Sequence, residues 1–139
     1  IKKYYVVNPI AEQRKFAERI ISCWRRRESF EFNPTRAEAF EILSLKSDLE
    51  EVKKEIGNPV IVVTSAKERG NISFKALSSR LKKENRPYLL LFGTGWGLAQ
   101  DVLEGADYIL EPVKGLTDYN HLSVRSAVAI ILDRLLVKH

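Results

Sequence analysis

The sequence predicts an α/β protein, a mostly parallel sheet with helices on both faces, and two observations carry that prediction. Short strand-like runs alternate with amphipathic stretches along the chain, the order that builds a parallel sheet. One of the runs, Val60-Ile61-Val62-Val63, is almost continuously apolar, as expected of a parallel strand covered on both sides.

The elements follow in order. Lys3-Tyr4-Tyr5-Val6-Val7 is aromatic and β-branched and is closed by Asn8-Pro9, which reads as a buried strand and a turn. From Ile10 the residues Phe16, Ile20 and Trp24, with Ala17 and Ile21 beside them, recur at helical spacing, and the helix ends in Arg25-Arg26-Arg27. That cationic run either complements the negative end of the helix dipole or meets RNA phosphates. Glu28 to Asn33 reads as irregular up to Pro34. Thr35 then caps a helix running to about Leu45, with Glu38 placed for a capping box. Ser47 caps a further helix with Leu49, Val52 and Ile56 on one face and Gly57 as its stop. After the strand at Pro59–Thr64, Ser73 opens a helix with Phe74, Leu77 and Leu81 inward and Lys82, Lys83 and Arg86 outward. Tyr88–Phe92 is the next strand, Gly93–Gly97 a loop, Leu98 to about Glu104 a helix, and Tyr108–Leu110 the last of four strands. A polar loop then leads to a helix from Ser123 whose centre, Ala127–Leu132, is apolar all round. Such a helix has to be buried on more than one side, between elements or against another subunit.

A chain of 139 residues is the size of one domain and can bury at most roughly 70% of its surface. Its 29% charged and 45% hydrophobic residues are ordinary for a globular protein. The net charge of +5 and pI near 9.4 suit a polyanionic partner, although solubility alone also explains them. A lone Cys23 excludes an internal disulfide and a cysteine-rich metal site and fits a reducing, cytoplasmic setting. No apolar run reaches the roughly 20 residues of a membrane span. The chain contains no methionine and opens at Ile1 directly into a strand, which predicts that a segment lies upstream.

Ligands of an open α/β sheet bind where strands end in loops at their carboxyl ends, and three of these ends stand out. Gly93-Thr94-Gly95-Trp96-Gly97 puts three glycines in five residues, allowing close backbone approach to a ligand or simply a tight strand-to-helix turn. It lacks the Gly-Lys-Ser/Thr ending of a phosphate loop and the GxGxxG spacing of a dinucleotide site. Thr64-Ser65-Ala66-Lys67 offers hydroxyls and exposed backbone to an adenine or a ribose, or is a plain loop. After the last strand, Glu111-Pro112, Gly115 and then Tyr119-Asn120-His121 crowd polar groups directly before a wholly apolar helix.

Leu91 to Leu98, Ile109 to Gly115 and Asn120 to Ala127 together resemble the last two motifs of the SPOUT class of S-adenosylmethionine-dependent RNA methyltransferases in order and spacing. The sequence is most similar to the small stand-alone members related to the tRNA guanine-N1 methyltransferase domain. The resemblance extends over essentially the whole chain and is most specific in its final third. It implies a single domain over residues 1–139 with a C-terminal trefoil knot, an exception to the rule against knots. It also implies a cofactor, S-adenosylmethionine, held mainly by backbone groups at Thr64, Ser65, Gly93, Thr94, Gly95, Leu110, Glu111, Val113, Gly115, Leu116, Asn120 and Leu122. A homodimer through the terminal helix and an RNA substrate, tRNA or rRNA, are implied as well. The class normally has another strand and helix, bearing its first motif, ahead of the strand that opens here, so the domain is expected to be N-terminally incomplete and a fifth strand to exist upstream.

For the chemistry, Asp118 and His121 are candidate proton acceptors, and Arg125 is a candidate phosphate contact. His121 is alternatively a helix cap, Arg125 a partner of Asp118 or Glu111, and Tyr119 either stacks on a base or packs. Two other functions stay open from the residues alone. One is a catalytically weak cofactor- and RNA-binding partner module, and the other is a Rossmann-type nucleotide-binding protein.

Overall fold

The computed structural model describes residues 1–67, 70–117 and 121–137. The chain divides into two compact units, Ile1–Gly57 and Asn58–His139. Among the described residues, no helix is long and apolar enough to cross a membrane.

The first unit holds strand β1 (Tyr4–Val7), helices α1 (Ala11–Trp24), α2 (Arg27–Phe32) and α3 (Pro34–Glu41), strand β2 (Leu43–Lys46) and helix α4 (Leu49–Ile56). β1 and β2 pair in parallel, from Tyr4 opposite Leu43 to Val7 opposite Lys46. The Asn8 side chain starts α1: it accepts from the Ile10 N–H at 2.8 Å and donates to Gln13 at 2.7 Å. α1 buries Ile21, and Trp24 stacks on Phe40 at 5.9 Å with Arg36 over its ring at 4.9 Å. The expected inward residue Phe16 is instead 65% exposed, and Ile20 is exposed too. At about 100° per residue, Phe16 lies roughly 140° around the helix from Ile21, so one narrow contact cannot bury both.

Three further expectations change in this unit. Glu28–Asn33, read as irregular, lies mostly in α2, where nothing before Pro34 interrupts helical bonding and Arg27 pairs with Glu31 one turn on. The cap of α3 is Asn33, whose side chain accepts from the Arg36 N–H at 3.0 Å. Pro34 fills the first helical position, and Thr35 only donates to that cap. The helix expected to reach Leu45 stops at Glu41, and Leu43–Lys46 is a strand. The Arg25 guanidinium donates to the carbonyls of Phe40, at 3.1 and 3.3 Å, and Leu43, at 2.7 Å, satisfying the backbone where the helix ends. Arg25 thus has a structural task that neither expected role of the arginine run described.

α4 is capped by Asp48, which accepts from the Glu51 N–H at 2.9 Å, while Ser47, the expected cap, bonds the Asp48 and Glu51 carboxylates. Gly57 stops the helix at φ 80, as the sequence predicted. Near that end Glu55 accepts from Lys3 at 2.5 Å, Lys46 at 2.6 Å and Tyr5 at 2.9 Å, tying α4 to both strands. The hydrogen bonds from Lys3, Lys46 and Tyr5 lower its carboxyl from the ordinary 4.5 to about 2. A depressed folded-state value means that the stabilisation is complete above about pH 4.5 and is lost as the pH falls towards about 2. Glu55→Gln is therefore expected to lower the urea midpoint of the full chain at pH 7, followed by far-ultraviolet circular dichroism. The deficit should shrink steadily below pH 4.5, and a deficit that stays constant with pH would contradict this assignment.

The second unit holds β3 (Val60–Thr64), α5 (Phe74–Lys83), β4 (Tyr88–Leu91), α6 (Gln100–Glu104), β5 (Tyr108–Leu110) and α7 (Val124–Leu136). Its sheet has the order β4-β3-β5 with every pair parallel. The expected parallel pairing is thus present, but over five described strands in two sheets where four strands in one sheet were expected, because β2 was read as helix. Val60, Val62, Ile72 and Leu110 form a core with Leu77 of α5 and with Ile131 and Leu135 of α7. Ser73 caps α5 as predicted, accepting from the Ala76 N–H at 3.2 Å. The segment after β3 returns to the outer edge of β5. Asn71 and Ile72 donate to the Ile109 carbonyl at 2.8 and 3.1 Å, and the Glu111 N–H donates to Ile72 at 2.9 Å.

Candidate functional site

Because β3, β4 and β5 run parallel, their carboxyl ends and the loops that follow lie along one edge of the second unit's sheet. Among the described residues, the cofactor residues expected from the sequence lie in or beside these loops. Thr64 closes β3 and spends its hydroxyl on the Leu91 carbonyl at 2.9 Å, which links the ends of β3 and β4. The Ser65 hydroxyl accepts from the Lys67 N–H at 3.1 Å and shapes the turn behind it.

The loop after β4 doubles back tightly. The Gly97 N–H donates to Thr94 at 3.1 Å, Gly95 sits at φ 57 and Gly97 at φ 96. A side chain on Gly93 would meet the Gly97 carbonyl carbon at 2.4 Å, so this glycine is required by space. Around Gly95 and Gly97 there is nothing within 4 Å of a would-be Cβ, which leaves their backbone open to a ligand.

In the loop after β5, Leu110 is core at 1% exposure, so only its main chain faces any ligand. The Glu111 carboxylate accepts from the Phe74 N–H at 2.6 Å, at the positive end of α5. Val113 packs against the core, whereas Gly115, Leu116, His121 and Leu122 are exposed. Ser123, not His121, caps α7, accepting from the Ser126 N–H at 3.3 Å. Arg125 is exposed in the first turn of α7, and among the described residues it makes no ion pair with Glu111. Asp118, Tyr119 and Asn120 lie outside the described residues.

A cavity of about 200 Å³ opens at this edge, bounded by Ser65, Lys67, Gln100, Leu103, Glu104 and Ile109. A larger hollow of about 970 Å³ in the first unit is bounded only by residues 12–26, along one side of α1 and its final turn. A surface formed by one helix gathers no groups from separate elements, so the sheet edge is the better site.

Over residues 1–137 the sequence matches the family described as SAM-dependent RNA methyltransferase. The chain belongs to this family. It is 45% identical to an uncharacterized protein of Aquifex aeolicus, over 97% of this chain and 69% of the relative. It is 43% identical to a tRNA (guanine-N(1)-)-methyltransferase of Nitratidesulfovibrio vulgaris and 40% identical to one of Oleidesulfovibrio alaskensis. Each match covers 96% of this chain and 32% of the relative. The chain thus spans about a third of the length of these two named methyltransferases, and the resemblance to the tRNA guanine-N1 methyltransferase domain is borne out.

This sheet edge fits S-adenosylmethionine, the cofactor in the family's description, in part by volume and in part by chemistry. Whole small-molecule pockets run from about 300 Å³ upward, so the 200 Å³ cavity matches one moiety, with the open glycine backbone beside it. Leu103 and Ile109 give that cavity an apolar floor, while Ser65, Gln100 and Glu104 give it polar groups. Lys67 belongs to the Thr64–Lys67 loop that the sequence singled out, whereas Gln100, Leu103 and Glu104 were not singled out from sequence. The only signal was the spacing of Gln100 and Glu104, one turn apart on α6 and bonded at 2.8 Å.

Proposed function

We propose that this chain binds S-adenosylmethionine in a trefoil-knotted fold and transfers its methyl group to a nucleotide of tRNA or rRNA, acting as a cytoplasmic homodimer. The observation that carries the reading is the convergence of three loops at one edge of a parallel sheet, one of them with open glycine backbone, in a chain matching the methyltransferase family over residues 1–137. When bound, the cofactor supplies a methyl carbon on a positively charged sulfur, which a ring nitrogen or hydroxyl of RNA can take.

The backbone of Gly93, Thr94 and Gly95, of Thr64 and Ser65, and of Leu110, Glu111, Val113, Gly115 and Leu116 holds that cofactor, completed by Asn120 and Leu122. Asp118 or His121 receives the acceptor's proton, and Arg125 holds an RNA phosphate. The engaged Thr64 hydroxyl and Glu111 carboxylate support backbone rather than side-chain contacts at those two positions, with only the carbonyl left at Glu111, whose N–H is bonded to Ile72. The knot is supported by the return of the segment after β3 to the outer edge of β5. The dimer is supported by an apolar stripe on α7, Ala129, Leu132 and Leu136, that lies away from the core-facing Ile131 and Leu135. A reducing compartment is supported by the single Cys23.

Incubation with methyl-labelled S-adenosylmethionine and bulk tRNA or rRNA is expected to place label in RNA. Calorimetric binding of S-adenosylhomocysteine with no label transferred to either RNA would favour a binding module and overturn the enzymatic reading.

A further inference from the structure

The protein has two tryptophans, and their surroundings are opposite. Trp24 is in contact with Phe40 and Arg36, whereas Trp96 is fully exposed at 107% of its reference surface. A buried indole removes on the order of 150–250 Å² from water, and Trp96 forgoes all of that within its own chain. Its backbone is nonetheless tightly defined. It follows Gly95 at φ 57 in a turn closed by the bond from Gly97 to Thr94. The absence of room for a side chain on Gly93 fixes where this turn sits. The structure therefore holds a bare aromatic face on a shaped turn.

That turn follows β4, and the fully exposed Leu116 follows β5, at the same edge of the sheet. The two strands flank β3, so their ends stand roughly 10 Å apart, two strand spacings. The candidate cofactor backbone of Thr64, Ser65 and Gly95 lies along the same edge. We infer that Trp96 is a stacking platform for an unpaired nucleobase of the RNA, presented beside the cofactor loops. An indole offers a π-face that any base can use, and the net charge of +5 favours the phosphates that bring the strand there. The inference rests on the methyltransferase reading but makes a claim of its own, since base stacking requires no methyl transfer.

Trp24→Phe keeps an aromatic ring on Phe40 and leaves Trp96 as the only indole. A mixed-sequence single-stranded oligoribonucleotide is expected to quench the fluorescence of that variant, and S-adenosylhomocysteine alone is not. In the otherwise unchanged protein, Trp96→Ala is expected to weaken binding of the same labelled oligonucleotide, read by anisotropy, by roughly tenfold or more. Trp96→Phe should recover most of the loss. Where the enzyme turns over, KM for RNA rises by a similar factor and KM for S-adenosylmethionine does not. Unchanged oligonucleotide affinity in Trp96→Ala overturns the proposal, as does a loss confined to cofactor affinity or to dimerisation in light scattering. Quenching and the anisotropy loss without any methyl transfer would uphold Trp96 as a base platform while removing the enzymatic reading.

Discussion

Replacing Gly70 by alanine is expected to disrupt the sheet edge proposed to hold the cofactor, and with it the proposed S-adenosylhomocysteine binding and methyl transfer together. The added methyl would stand 2.5 Å from the Glu111 Cα and 2.8 Å from its backbone nitrogen. Both obstacles are main chain, so no side-chain rotation relieves them, and one of the two segments has to move. Moving it breaks the bonds of Asn71 and Ile72 to Ile109 and of Glu111 to Ile72, and it strains the hold of Glu111 on Phe74. Overpacking costs about 1–3 kcal/mol, and each lost hydrogen bond costs about 1 kcal/mol more, so a loss of roughly 3 kcal/mol or greater is expected. Gly105→Ala is the control. Its nearest neighbour would be the Asp101 carbonyl at 3.3 Å and its φ is −82, so a change within about 1 kcal/mol is expected. Urea denaturation of the full chain and calorimetry with S-adenosylhomocysteine measure both effects. Equal behaviour of the two variants would show that the contact between Gly70 and Glu111 does not organise the site.

The sequence disclosed the second unit far better than the first, for physical reasons. Buried parallel strands read as apolar runs, so Val60–Val63 and Tyr88–Leu91 are legible locally, and Gly57 and Ser73 mark helix ends by local chemistry. β2 is different, because four residues of Leu-Ser-Leu-Lys become a strand only by pairing with β1, some forty positions earlier. The clamp of Arg25 on Phe40 and Leu43 is equally non-local. At the site, the loops were legible from glycine and hydroxyl content, but what each side chain does was not. Glu111 and Thr64 are engaged by partners 37 and 27 positions away, and no spacing rule finds such contacts.

The two faces of α7 are expected to respond in opposite ways to substitution. Leu135 is 1% exposed within the core of Val60, Val62, Leu77 and Leu110, and its carbonyl accepts from Ser78 at 2.8 Å. Leu135→Ala leaves a cavity that the sheet cannot close, and a loss of about 2–5 kcal/mol is expected in the urea midpoint of the full chain. Leu136 is the next residue but lies roughly 100° around the helix, on the stripe with Ala129 and Leu132, and it is 51% exposed. Leu136→Glu should change the stability of the single chain by no more than about 0.5 kcal/mol. In the proposed homodimer, however, that glutamate would be an unpaired charge in an apolar contact, a penalty of about 3 kcal/mol or more. That weakens association by roughly two orders of magnitude. Light scattering over a dilution series separates the two outcomes. A dimer that tolerates Leu136→Glu would move the interface away from α7, because a buried carboxylate without a partner has no means of offsetting its lost hydration there.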